Sequence, residues 1–89
     1  MLRPSYAPRF KKDYKRIARS GRKIVDLDET ISMIIREIPL PACYSDHPLR
    51  GNLAGYRECH VEFDLLLMYQ TYQDEVIFAR AGTHSDLYD

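Results

Sequence analysis

The sequence predicts an α+β fold: an N-terminal helical hairpin packed on one face of a small, mainly antiparallel β-sheet. Apolar residues recur at helical spacing as far as Ile38, and short alternating or continuous apolar runs take over after Gly55. Between them lies a Pro- and Gly-punctuated stretch. The 89 residues predict one domain, 1–89, with a thin core. A chain of this size buries only ~60–65% of its unfolded surface.

Residues 2–7 read as a short extended lead-in. Pro8 suits the first turn of a helix, where its missing N–H costs nothing. Phe10, Tyr14, Ile17 and Ala18 then fall on one helical face, and Ser20-Gly21 supplies the stop. A second helix is expected from about Lys23 to Glu37, with Leu27, Ile31, Ile34, Ile35 and Ile38 on its apolar stripe. Asp26, Asp28 and Glu29 suit the positive end of its dipole, and Pro39 and Pro41 are expected to end it.

Residues 39–53 read as a long ordered loop in which Pro48 holds His47 extended. Three strands are expected: Tyr56–Glu62, Asp64–Thr71 and Glu75–Ala81. The continuous apolar run in the second marks a central strand buried on both sides. Gly82 to Asp89 reads as a loop or a single helical turn. Two helices cover one sheet face, and nothing is left to cover the other, which makes that open, partly polar face a candidate site.

Composition excludes several classes. The hydrophobic fraction of 45% and aromatic fraction of 11% are those of a globular protein rather than a disordered one. The apolar run Leu65–Tyr69 is too short to cross a bilayer, and the N-terminus lacks the apolar core of a secretion signal. Cys43 and Cys59 make neither a disulfide framework nor a zinc site, so a cytoplasmic protein with free thiols is expected.

The net charge of zero hides a division. Residues 1–25 carry nine basic residues and one acid, net +8, and residues 26–89 carry four and twelve, net −8. Such a basic stretch, with Lys11, Lys12, Lys15 and Arg16 at its centre, can hold a phosphate backbone or an acidic partner, or it can be a solvated helix face.

The histidines His47, His60 and His84 all lie outside the basic part, with Asp64, Arg57 and Arg80 near them in sequence. Imidazoles move protons near neutral pH, and an arginine can stabilise developing phosphate charge. Together they suit metal-free acid–base attack on a phosphodiester, although each histidine alone reads more often as a structural loop, strand or terminal residue. The histidine spacing does not suit zinc, and no cofactor is implied. Tyr56, Tyr69, Tyr72 and Tyr88 could stack on bases or serve as core and edge residues. Cys59 and His60 are adjacent on a strand and should face opposite ways, which argues against a Cys–His nucleophile.

Four segments carry a resemblance: Tyr44 to Gly51 with Asp-His-Pro-Leu inside it, Gly55 to Glu62, Asp64 to Tyr69, and Arg80 to Tyr88 with Arg-x-Gly-x-His. In combination they resemble the YafQ branch of the RelE/ParE toxin superfamily over nearly the whole chain. The resemblance implies a toxin of a type II toxin–antitoxin pair that cuts mRNA in the ribosomal A site. It implies no metal: the 2′-hydroxyl attacks the adjacent phosphate, the 5′-oxygen leaves, and a 2′,3′-cyclic phosphate forms.

By the same resemblance His84 is the general acid, and His60 and Asp64 activate the nucleophile and hold geometry. His47 is a second proton-handling or positioning group, and Arg80 clamps the transition state. Tyr88 stands where the family often has Phe and could pack on a base. The basic N-terminal part would grip ribosomal RNA, with binding that weakens as salt rises. A cognate antitoxin is the implied protein partner, and operator DNA is reached only through the antitoxin complex. Leu65 departs from the family, which often has Trp there, and would stack on RNA less well. Two other readings remain: a non-enzymatic ParE-like gyrase inhibitor, which would lack the histidine set, and an inactive co-repressor that binds only its antitoxin.

Overall fold

The computed structural model describes residues 1–22 and 24–88. Its elements in chain order are β1 (Arg3–Tyr6), α1 (Pro8–Arg19), α2 (Ile24–Ile35), β2 (His47–Pro48), β3 (Arg57–Glu62), β4 (Leu65–Tyr72), β5 (Glu75–Gly82) and α3 (His84–Tyr88). Single 3-10 turns at Ala42–Tyr44 and Gly51–Leu53 flank β2. The five strands form one sheet in the order β1-β5-β4-β3-β2. All neighbouring pairs are antiparallel except β1 with β5. Among the described residues no helix is long and apolar enough to cross a membrane.

The core lies largely where the apolar stripes predict, although Ala18 and Ile38, expected on those stripes, are exposed. Phe10 and Ile17 of α1 and Leu27, Ile31 and Ile34 of α2 pack on Cys59, Leu65, Leu67, Tyr69, Val76, Phe78 and Ala81 of the sheet. β4 is central, and Leu65 to Tyr69 is buried without interruption, as a strand covered on both sides requires.

Four expectations need correction. Residues 3–6 are an edge strand rather than a mere lead-in. Their side chains are all exposed, so no alternation marked them, and an edge tolerates Pro4. The second helix ends at Ile35, before either proline. Glu37 turns left-handed (φ 58°), its N–H donates to the Ile34 carbonyl, and the Ile38 N–H donates to the Met33 carbonyl. That reciprocal pair is a Schellman stop. The expected start at Lys23 lies outside the described residues, as does the chain end at Asp89. The second sheet face is not bare, because α3 lies over it and Leu66 and Met68 beneath are buried. Leu65 points into the helix-covered core, so a larger residue at that position would not face substrate.

Candidate active site

Strand register sets the site. His47 on β2 pairs with Glu58 on β3, Glu58 with Met68 on β4, and Met68 with Arg80 on β5. Two residues along, His60 pairs with Leu66 and Leu66 with Gly82. Directly opposed residues share a sheet face. His47, Glu58, His60 and Arg80 therefore lie on the face that α1 and α2 leave free, and Cys59 points the other way into the core. Burial pushes the Cys59 thiol up to about 12, with the Asp46 and Glu58 charges adding to it.

α3 brings the remaining residues. Thr83 and Asp86 cap its start reciprocally: the Thr83 Oγ1 accepts from the Asp86 N–H at 3.0 Å, and the Asp86 Oδ2 accepts from the Thr83 N–H at 2.9 Å. Gly82 precedes this box with φ +152°, and a Cβ there would sit 2.7 Å from Asp86 Oδ2 and 2.9 Å from Arg16 Nη2. Only glycine permits that approach. His84 is thereby fixed at the first position of α3, and Tyr88 follows one turn later.

The imidazoles form a row. Ring centroids are 6.4 Å apart for His47 and His60, 5.9 Å for His60 and His84, and 6.4 Å for His84 and Tyr88. Each ring has a different environment. His84 Nδ1 lies 3.0 Å from Asp64 Oδ1, which also accepts the His84 backbone N–H at 3.1 Å. These backbone and side-chain hydrogen bonds hold the Asp64 carboxyl below its ordinary value. An ionised carboxylate only accepts, so Nδ1 donates and Nε2 is left for chemistry. Asp64 sits in the two-residue β3–β4 turn with φ 50°, a conformation aspartate tolerates.

The His60 ring makes no hydrogen bond to any described residue, and both its nitrogens remain available. His47 Nδ1 donates to the Ser45 carbonyl at 2.6 Å, and its Nε2 lies 3.3 Å from Glu58 Oε2. Both nitrogens thus face oxygen acceptors. Glu58 itself is 5% exposed, and its other oxygen accepts the Tyr88 hydroxyl at 2.9 Å. Burial and this bond push the Tyr88 phenol up to about 12, so it stays neutral and donates.

Arg80 is held from behind. Its Nε donates to Asp13 Oδ2 at 2.8 Å, and its Nη2 reaches Asp13 Oδ1 and the Asp86 carbonyl, each at 3.3 Å. Asp13 is buried in α1. It also accepts the Ala81 N–H at 3.0 Å, on the edge of β5 that β1 no longer covers, and Arg16 Nη1 at 2.9 Å. Burial alone would raise this carboxyl, but the bonds from Arg80, Ala81 and Arg16 outweigh it and hold it below the ordinary value.

The structure therefore gathers His47, His60, Asp64, His84 and Tyr88, and places Arg80 on the same sheet face with its guanidinium bonded to Asp13 and the Asp86 carbonyl. It does not bring Arg57 to them: Arg57 shares the helix-covered side with Tyr69, and both donate to Asp46, at 3.2 and 2.7 Å. Arg16 reaches the rim of the site through the Ala81 carbonyl and Asp86. Lys11 and Lys15 line a separate cavity of about 380 Å³ with Tyr6, Phe10, Tyr14, Asp28 and Ile31, away from the histidine row. Lys12 is exposed on α1. Among the described residues no group of three His, Cys, Asp or Glu is arranged to hold a metal ion.

Sequence reasoning missed Glu58 and Asp13. Glu58 stands two residues before His60, so the period of the strand already placed both on one face. Asp13 carried no such signal, because its partner Arg80 is 67 residues away.

Comparison with known proteins finds relatives that share the fold. The sequence pattern of "Bacterial toxin of type II toxin-antitoxin system, YafQ" matches residues 2–89. The "mRNA interferase toxin YafQ" of Escherichia coli K12 is 37% identical over 84 residues, covering 93% of this chain and 91% of that protein. The toxin in the crystal structure of the E. coli DinJ–YafQ complex superposes with a TM-score of 0.93 at 34% identity, covering both chains fully. A metal-bound toxin from Helicobacter pylori superposes at 0.90 with 37% identity, covering 99% of this chain and all of that one. The chain thus belongs to the YafQ family of bacterial toxins of type II toxin–antitoxin systems.

Proposed function

We propose that this chain is an mRNA interferase: an RNA endonuclease that cuts messages on the ribosome by acid–base catalysis without a metal, the whole of 1–89 acting as one toxin domain. The observation that carries the reading is the imidazole row with His84 oriented by Asp64. The activity in the names of the E. coli relatives supports it.

Cleavage needs a base for the 2′-hydroxyl, an acid for the leaving 5′-oxygen and positive charge for the phosphorane-like transition state. Neighbouring imidazoles 5.9 Å apart can both reach the oxygens of one phosphodiester. His60 takes the 2′-hydroxyl proton. His84 delivers its Nε2 proton to the 5′-oxygen, while Asp64 stabilises the imidazolium before transfer. His47, held between the Ser45 carbonyl and Glu58, is the second proton-handling or positioning group, and Arg80 contributes positive charge from β5. Tyr88 offers its ring beside His84 to a base. The product is a 2′,3′-cyclic phosphate.

The exposed bases Arg9, Lys11, Lys12, Lys15 and Arg19 of α1 make no ion pair with a described residue, so they are available to ribosomal RNA phosphates. A cognate antitoxin is the protein partner, by analogy with the E. coli complex, and operator DNA is met only through that complex. Primer extension on a message translated in vitro tests the reading. Discrete, translation-dependent cuts that vanish in His84→Ala are expected. Translation and message both left intact by the wild type would refute it.

A further inference from the structure

Phe63 is the most exposed large apolar side chain among the described residues, at 94%. Single exposed apolar residues are common and need no special cause. This one stands out by its position. Glu62 pairs with Leu65, so Phe63 and Asp64 form the whole two-residue connection between β3 and β4. Such turns favour Gly, Asn and Asp, and a phenyl ring adds nothing to their geometry. The ring adds nothing to packing either, since almost none of it is covered.

The turn that carries it is anchored. Arg22 Nη2 donates to the Phe63 carbonyl at 2.6 Å, and Arg22 Nε donates to Glu62 Oε1 at 3.2 Å. The next residue is Asp64, whose carboxylate receives both the backbone N–H and the ring of His84. A fully presented aromatic ring thus stands on an anchored turn, one residue from the group that orients the proposed general acid. Bases of single-stranded RNA are bound by stacking on such rings, beside cations that take the phosphates.

We infer that Phe63 is a base-stacking platform for the RNA substrate, holding a nucleotide that flanks the scissile phosphate. This inference rests on the ribonuclease reading above. It assigns Phe63 to substrate binding rather than to the chemical step.

Steady-state cleavage of a defined message on programmed ribosomes, at fixed salt, tests it in four proteins: wild type, Phe63→Ala, Phe63→Leu and Phe63→Trp. Loss of one base–aromatic stack weakens binding by about tenfold or more. Phe63→Ala is expected to raise KM by about that factor with kcat within about twofold. Phe63→Leu should match Phe63→Ala, because it keeps apolar bulk and loses the π face, and Phe63→Trp should match the wild type or bind more tightly. Thermal unfolding of all four should coincide, since nothing packs on the ring. Wild-type cleavage with an unchanged KM in Phe63→Ala overturns the platform and leaves the ribonuclease reading standing. A wild-type KM in Phe63→Leu also overturns it, because the contact would then be merely apolar. No cleavage by the wild type overturns both.

Discussion

The two faces of the sheet are held by different forces. On one, α1 and α2 bury aliphatic and aromatic side chains against β3, β4 and β5. On the other, α3 is tied down by polar contacts: Asp64 to His84, Glu58 to Tyr88, and Arg16 and Arg80 to Asp86. Apolar burial is non-directional and tolerates small shifts, whereas hydrogen bonds fix distance and angle. The helix-covered face therefore supplies stability, and the other supplies the placement that the proposed proton transfer needs. Asp13 joins the two, as a buried residue of α1 whose carboxylate ends on Arg80.

Substitutions should separate these roles. The largest functional effect is expected from His84→Ala. It should lower cleavage by about 10²–10⁴-fold, the usual contribution of one acid–base group, with the thermal transition nearly unchanged. A cleavage rate near that of the wild type would remove His84 from the chemistry.

Asp13→Ala should do the reverse, costing stability first. It strands the Arg80 guanidinium and the Ala81 N–H, and breaking a buried pair in this way costs about 3–5 kcal/mol. In an 89-residue chain each kcal/mol lowers Tm by about 4–8 °C, so calorimetry will resolve the loss. The pH dependence has a definite sign. The Asp13 carboxyl lies lower in the folded chain than in the unfolded one, so its contribution is full above the ordinary carboxylate value and lost as pH falls through the depressed one. The variant should therefore show a flatter acid limb in stability than the wild type.

Glu58→Gln should fall between the two. It keeps the shape and removes the charge that His47 and Tyr88 both meet, at a cost of about 1–3 kcal/mol for hydrogen bonds to a charged group. A loss of about tenfold in cleavage with a Tm lowered by several degrees is expected from primer extension and thermal melts. The smallest effect per residue is expected on the solvated side of α1. Replacing Lys11, Lys12 and Lys15 with Gln should leave Tm within experimental scatter and make ribosome binding less sensitive to salt, as removal of up to three phosphate contacts requires. An unchanged salt slope would show that α1 does not touch RNA.

Much of the helix-covered face was legible in the sequence, because it obeys periodicity. Phe10, Ile17, Leu27, Ile31 and Ile34 sit where the 3.6-residue stripe places them, and the run in β4 announced a central strand. Features set by long-range pairing were not legible. β1 is a strand only because β5 lies beside it, more than 70 residues away in sequence. The end of α2 depends on Glu37 adopting a left-handed conformation, which its residue type does not announce. On the site face, the motif residues were visible one by one, and their grouping waited on the strand register. The signal for α3 was present in Thr83-x-x-Asp86, a capping pattern too short to stand alone as evidence of a helix.

The two cysteines have a practical consequence. Burial pushes the Cys59 thiol well above its ordinary value, so at neutral pH it stays protonated, and it is sealed in the core besides. Cys43 is exposed on the loop before β2. An alkylating reagent should therefore modify Cys43 at once and Cys59 only when the helix layer lifts from the sheet. The ratio of the two adducts, read by mass, is an intrinsic clock for opening of the core that leaves the histidine face untouched.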